Sequence, residues 1–334
     1  MAGLIVAIIV AIAFDFTNGF HDSANAIAAL VATRAARPVP ALAWVSLFHM
    51  LGPLIVGTAV ASTVAGMVQV DASRTTAVVG AALTAALAWN VLTWSWGLPS
   101  SSSHALVGGL VGAALVDAGT HAVRWGGFDG LRPVGVLGVL TALAISPLIG
   151  FTVGFVVHLV AARALRRARR EIERPIRRSE WGTAAALAFS HGTNDAQKTM
   201  GIVTLLLVAH GELARFAVPL WVKLLAAASL TAGTSFGGWR IVRTLGMGIY
   251  PLRPLDGLVS QASSASVIFA AAAVGAPVST THVVASSIVG VGAQQRRRHV
   301  RWSVVREMGL AWVGTLPACA AIAAASLPVW KAFT

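Results

Sequence analysis

Of the chain's 334 residues, 56% are hydrophobic and only 11% are charged, against about a quarter charged in soluble domains. Apolar stretches of about 20 residues recur from end to end, as the hydrocarbon core of a bilayer requires, which excludes an ordinary soluble fold. The net charge of +13 is carried mostly by arginines in short breaks between apolar runs. That pattern orients membrane helices, so anionic lipid head groups are the expected contact and no nucleic-acid partner is expected.

In chain order, apolar segments fall at about 2–33, 39–63, 75–98, 104–117 and 134–162. After a basic stretch they resume at about 181–209, 217–238, 257–275, 282–294 and 303–326. The expected fold is an all-α polytopic membrane protein, with a first transmembrane repeat over 1–162 and a second over 181–334. Between them lies a basic cytoplasmic linker, 163–180, with eight arginines from Arg163 to Arg178. The opening run MAGLIVAIIVAIAFDF has no basic n-region and leads straight into polar residues. It reads as a first spanning segment rather than a cleaved leader. Cys319, the one cysteine, lies in an apolar run and reads as packing.

Two segments are too short to span. About a dozen residues separate His104 from Asp117, and His282 from Gln294, a rise of about 18 Å against a core of about 30 Å. Each follows a proline and a run of hydroxyls, PSSSSH at 99–104 and PVSTTH at 277–282. A pair of re-entrant hairpins with broken tips is expected, since irregular backbone at membrane depth must be buried in protein or line a cavity. Placing 163–180 in the cytoplasm puts Arg34, Arg37, Arg240 to Arg253 and Arg296 to Arg301 on the same side. Segment 2–33 then runs inward and segment 181–209 outward, so the halves are inverted.

Self-similarity is the strongest signal. FTNGFHDSANAIA at 16–28 aligns without a gap on FSHGTNDAQKTMG at 189–201, and GLPSSSSHALVGGLVG at 97–112 on GAPVSTTHVVASSIVG at 275–290. Two motifs recurring in the same order in oppositely oriented halves are the signature of an inverted-repeat transporter. Asp22 and Asp195 lie inside apolar segments, where a carboxylate costs at least about 2.5 kcal/mol on insertion scales. Such a residue is paired, lines a cavity or binds an ion. The adjacent Gly19 and Gly192 suit locally unwound, broken helices whose carbonyls could ligate a cation. At the tips, proline presets a first helical turn and hydroxyls cap it. The free N–H groups and partial positive charge there suit a tetrahedral oxyanion. Ser101, Ser102, Ser103, Ser279, Thr280 and Thr281 are the candidate substrate donors, unless they serve only as helix caps. His104 and His282 are read as supports for the hairpins.

These four motif copies resemble the inorganic phosphate transporter (PiT) family, over nearly the whole chain. The resemblance implies two inverted repeats, each with a substrate hairpin, and phosphate symport driven by sodium or protons. Bacterial members of this short form imply a proton-coupled carrier, with phosphate moving as a metal–phosphate complex. A related branch carries sulfate. No resident cofactor or metal is expected, and a homo-oligomer is left open.

The repeats differ where coupling would act. Asn25 corresponds to Lys198, and His21 to Asn194. Lys198 lies three residues from Asp195 on one helical face and can replace the charge of a sodium ion. The residues expected to couple cations or protons are therefore Asp22, Asn25, Asn194, Asp195, Lys198 and His21. Lys198–Asp195 and His21–Asp22 are the candidate proton relays, the alternative being a static ion pair. An intramembrane hydrolase would need one asymmetric nucleophile–base set, whereas here Asp and His are duplicated. An anion channel would be poorly served by two buried carboxylates.

Overall fold

The computed structural model describes residues 1–168 and 170–334. Among them the chain forms twelve α-helices and one short β-hairpin. The first six helices are α1 (Ala2–Ala32), α2 (Pro38–Ile55), α3 (Ala59–Ala65), α4 (Ala72–Trp96), α5 (Ser102–Ala118) and α6 (Gly135–Ala164). The second six are α7 (Glu173–Ala209), α8 (Leu220–Phe236), α9 (Trp239–Arg243), α10 (Pro254–Ala273), α11 (Thr280–Arg296) and α12 (Trp302–Phe333). By length and composition α1, α2, α4, α5 with its extension to Ala122, α6, α10 and α12 can cross a membrane. Helix α7 is long, but its middle is polar.

The two sets pack by one plan. Helix α1 rests on α8 as α7 rests on α2, and α5 rests on α12 as α11 rests on α6. The first pair of crossings is closed by glycines in matching places. A Cβ on Gly19 would strike the carbonyl of Leu230, and one on Gly233 the carbonyl of Phe16. In the other half Gly192 faces the carbonyl of His49, and Gly52 that of Phe189. Helices α1 and α7 are antiparallel. Beyond the end of α1, Thr33 Oγ1 donates to Glu180 Oε2 near the start of α7 at 2.6 Å. At the opposite face, Met1–Leu4 share a cavity with Ala209 and His210. The matching first helices of the two halves therefore run in opposite directions.

The helix breaks lie elsewhere than expected. Both α1 and α7 continue through Asp22 and Asp195 without unwinding, so no carbonyls are freed there. Gly19 and Gly192 serve close approach of a neighbouring backbone rather than a bend. The chain breaks instead at Val56–Thr58, splitting the expected 39–63 segment after Pro53 removed a backbone donor from α2. The hairpin of β1 (Gly127–Asp129) and β2 (Arg132–Val134) was not anticipated, and Gly130 supplies the positive φ of 58° for its turn. Helix α7 begins at Glu173, inside the stretch read as linker.

Helix α4 turns back into α5, and α10 into α11, forming two helical hairpins. Gly97 (φ 69°) and Gly275 (φ 72°) end the first arm of each. Ser101 and Ser279 then cap the second arm by accepting from the backbone N–H of His104 and His282. These arms are 17 residues long, about 25 Å rather than about 18, because each starts two residues before its histidine and runs past the expected end.

Candidate functional site

Helical periodicity sets the first half of the site. On α1, Asn18, Asp22 and Asn25 share one face, and on α7 so do His191, Asp195 and Lys198. Because α1 and α7 are antiparallel and pack together, the two faces meet at their middles. Asp22, Asp195 and Lys198 are each only 1% exposed.

The hairpin tips complete it. The Ser103 hydroxyl of the first tip donates to the Val278 carbonyl of the second at 3.0 Å. Lys198 Nζ donates to Ser103 Oγ, to the Val278 carbonyl at 3.4 Å and to Asp195 Oδ1. A single ammonium thus sits between both tips and a carboxylate. Thr280 Oγ1 lies 3.1 Å from Asp22 Oδ2 and 3.3 Å from Asp195 Oδ2. Thr281 donates to Asp22 Oδ1 at 3.0 Å and accepts from Asn25 Nδ2 at 3.1 Å.

The remaining expected residues are close by, but not all touch the acids. His21 Nδ1 lies 2.7 Å from Asp22 Oδ1, and its Nε2 is 3.3 Å from the hydroxyls of Ser100 and Thr93. Asn194 makes no hydrogen bond to the carboxylates and donates to the Ala276 carbonyl at 3.2 Å, anchoring the loop before the second tip. Ser102 is buried at the first tip, while Ser101 and Ser279 are used as caps. His104 Nδ1 is 2.8 Å from Ser101 Oγ. The His104 and His282 rings face one another at 4.6 Å, and His282 stacks on Trp312 at 3.9 Å. The Trp312 indole N–H donates to the Pro99 carbonyl at 2.9 Å, so this stack ties both tips to α12.

Three participants were not anticipated. His191 Nε2 lies 2.8 Å from Asp195 Oδ2 and 3.5 Å from Asp22 Oδ2. His49 of α2 stands behind it, Nε2 to His191 Nδ1 at 2.7 Å, and Asn18 Nδ2 donates to Asp195 Oδ2 at 3.3 Å. The signal for His191 was present, a histidine four residues before a buried acid on one face. His49 had none. The donor atoms of Asp22, His191 and Asp195 all lie within 4.8 Å of one another, a grouping able to hold a cation. Against them lie two helix N-termini, whose unpaired N–H groups favour an anion, and the Lys198 ammonium. The arrangement is a buried centre that joins anion-attracting and cation-attracting groups.

A model of the phosphate transporter family matches the chain twice, over residues 18–174 and 161–323. The chain belongs to the phosphate transporter family. It is 42% identical over 323 residues to a probable low-affinity inorganic phosphate transporter of Rhizobium meliloti, covering 96% of this chain and 94% of the relative. It is 40% identical over 324 residues to the protein of the same description from Bacillus subtilis, covering 96% and 95%. A solved structure described as the sodium-dependent phosphate transporter matches the fold with a TM-score of 0.88, over all of both chains, at 24% identity. The family and these relatives are transporters rather than enzymes, and with its apolar spanning helices this member is a multi-pass membrane protein.

Proposed function

We propose that the protein is a secondary active carrier that imports inorganic phosphate with a co-transported cation, by alternating access around the buried centre. The observation that carries this reading is the meeting of two hydroxyl-bearing hairpin tips, one per repeat, at two carboxylates and a lysine midway along α1 and α7. In this reading Ser101, Ser102, Ser103, Ser279, Thr280 and Thr281, with the first N–H groups of α5 and α11, take over the hydration of a tetrahedral oxyanion. Thr280 and Thr281, now donating to the acids, turn to the substrate as it enters. Asp22 and Asp195 accept from a protonated phosphate oxygen, a role sulfate does not need, which favours phosphate over sulfate. The oxyanion's charge must be compensated before it can leave water, so transport is coupled.

Protons are the coupling ion we infer. Lys198 stands where the other repeat has Asn25, and its ammonium already pairs with Asp195, where a bound cation would otherwise sit. Lys198–Asp195 and His21–Asp22 form the relay. Sodium, named for the structural neighbour, is the competing ion. The Asp22–His191–Asp195 grouping supports a second reading, in which a divalent metal travels with phosphate, because an imidazole nitrogen suits such metals.

The test is uptake by vesicles holding the purified protein, with an imposed pH gradient and no sodium. Labelled phosphate should accumulate, be displaced by arsenate and resist sulfate. Uptake that ignored the pH gradient and followed sodium would reject proton coupling, and uptake displaced equally by sulfate would reject phosphate selectivity. Adding a chelator tests the metal complex.

A further inference from the structure

Asp15 lies on α1, seven residues before Asp22 and on the same helical face, and it is completely buried. Neither of its carboxylate oxygens accepts a hydrogen bond from any described residue. Thr199 of α7 is the polar side chain beside it, and its own hydroxyl is likewise unpartnered. The charged groups whose fields reach Asp15 are Asp195, Lys198 and His191, all on α7. Three charged or titratable members of the centre are thus near it, yet none bonds to it.

A carboxylate in that position has two ways to avoid an uncompensated buried charge: it binds a metal ion or it holds a proton. The surroundings select between them. A hard cation takes six or more oxygen ligands, whereas Asp15 has one hydroxyl beside it. Among the described residues it joins no cluster of carboxylate, imidazole and thiol ligands. A proton needs only the carboxyl group itself. The repeat sharpens the point, because the positions matching Asp15 and Thr199 are Ala188 and Ala26. The motif pair Asp22 and Asp195 is duplicated, whereas the Asp15–Thr199 pair occurs once. One such site per molecule fits one carried proton, and a packing device common to both repeats would not be single.

We propose that Asp15 is a separate proton-carrying site of the transport cycle, distinct from the substrate centre. Its carboxyl O–H bond forms with a proton from water on the side where the carrier is open for loading. That bond breaks to water on the other side after the carrier has turned, so the residue ends each cycle as it began. While it carries the proton Asp15 is neutral, and Thr199 is the polar side chain beside it. Asn18 links the two sites, since it lies one turn from Asp15 while its amide donates to Asp195. This assignment rests on the proton-coupled reading above.

The experiment uses the full chain in proteoliposomes without sodium, comparing wild type with Asp15→Asn and Asp15→Glu. An amide imitates the neutral acid but cannot release a proton. Asp15→Asn should therefore exchange internal for external labelled phosphate at the wild-type rate at equal pH, yet accumulate none above equilibrium under an inward pH gradient. Asp15→Glu should restore accumulation. If Asp15→Asn accumulates phosphate as wild type does, the proposal is overturned. Loss of exchange together with lowered thermal stability in both variants would also overturn it, in favour of a packing role. Wild-type protein that exchanges phosphate but ignores the pH gradient would overturn the coupling reading beneath it, and is distinguished by needing no variant.

Discussion

Asp22 and Asp195, one from each repeat, share a single imidazole: His191 Nε2 stands 3.5 Å from an oxygen of the first and 2.8 Å from an oxygen of the second. Thr280 bridges the same two oxygens. Two acids so close, and removed from water, repel unless cationic partners lie between them. The imidazole of His191 lies against both acids, that of His21 against Asp22 and the Lys198 ammonium against Asp195, all buried. The carboxylates, the bases and the second hairpin tip therefore form one unit, in which changing any member disturbs the charge balance of the rest.

Neutralising either acid should stop the cycle without unfolding the protein. Asp22→Asn and Asp195→Asn keep the shape and most hydrogen-bonding capacity, so membrane insertion should be unchanged while phosphate uptake falls to background. Vesicle uptake normalised to inserted protein measures it. Normal transport by both variants would remove these carboxylates from the mechanism.

Lys198 offers a double-mutant test. Lys198→Asn, the residue of the other repeat, leaves Asp195 without its ammonium, and losing one partner of a buried pair costs about 3–5 kcal/mol. A clear fall in detergent melting temperature is expected. Combining it with Asp195→Asn should recover most of that loss, because no uncompensated charge remains, while transport stays absent. Equal destabilisation by the single and double variants would argue against an energetic pair.

Thr280 separates hydrogen bonding from shape. Thr280→Val is nearly isosteric and removes the hydroxyl shared by the acids. The predicted result is a raised KM for phosphate, with stability lowered by about 1–3 kcal/mol at most, the usual cost of buried acceptors left without a donor. Initial-rate uptake against phosphate concentration reads this directly. An unchanged KM would exclude the hydroxyl from the substrate shell.

The inverted packing makes a prediction about glycine. Gly233→Ala drives a methyl group into the Phe16 carbonyl, and Gly52→Ala does the same at Phe189, so each should destabilise by about 1–3 kcal/mol as overpacking does. Gly182 lies in α7 with nothing within 4 Å of an added Cβ. Gly182→Ala should instead be neutral or stabilising by up to about 1 kcal/mol, from helix propensity alone. Thermal stability of the three purified variants settles the comparison.

What the sequence determined by itself was the inventory and its symmetry. Matching motifs placed Asp22 with Asp195 and the two hydroxyl runs with each other, because duplication leaves an alignable trace. Helical spacing put Lys198 on the face of Asp195, because residues three and four apart are neighbours in any α-helix. Proline, serine and histidine spacing located the capped tips for the same local reason. Tertiary structure decided everything that depends on which faces meet. Gly19 and Gly192 read equally well as hinges or as contact points, and the neighbouring backbones of α8 and α2 made them contact points. His49 lies on another helix, 142 residues from His191, and no local pattern joins them. Asp15 sits in one apolar run with Asp22, yet only the assembled bundle gives Asp22 four partners and Asp15 none. Periodicity fixes where a side chain points relative to its own helix axis, and packing alone fixes what it then faces.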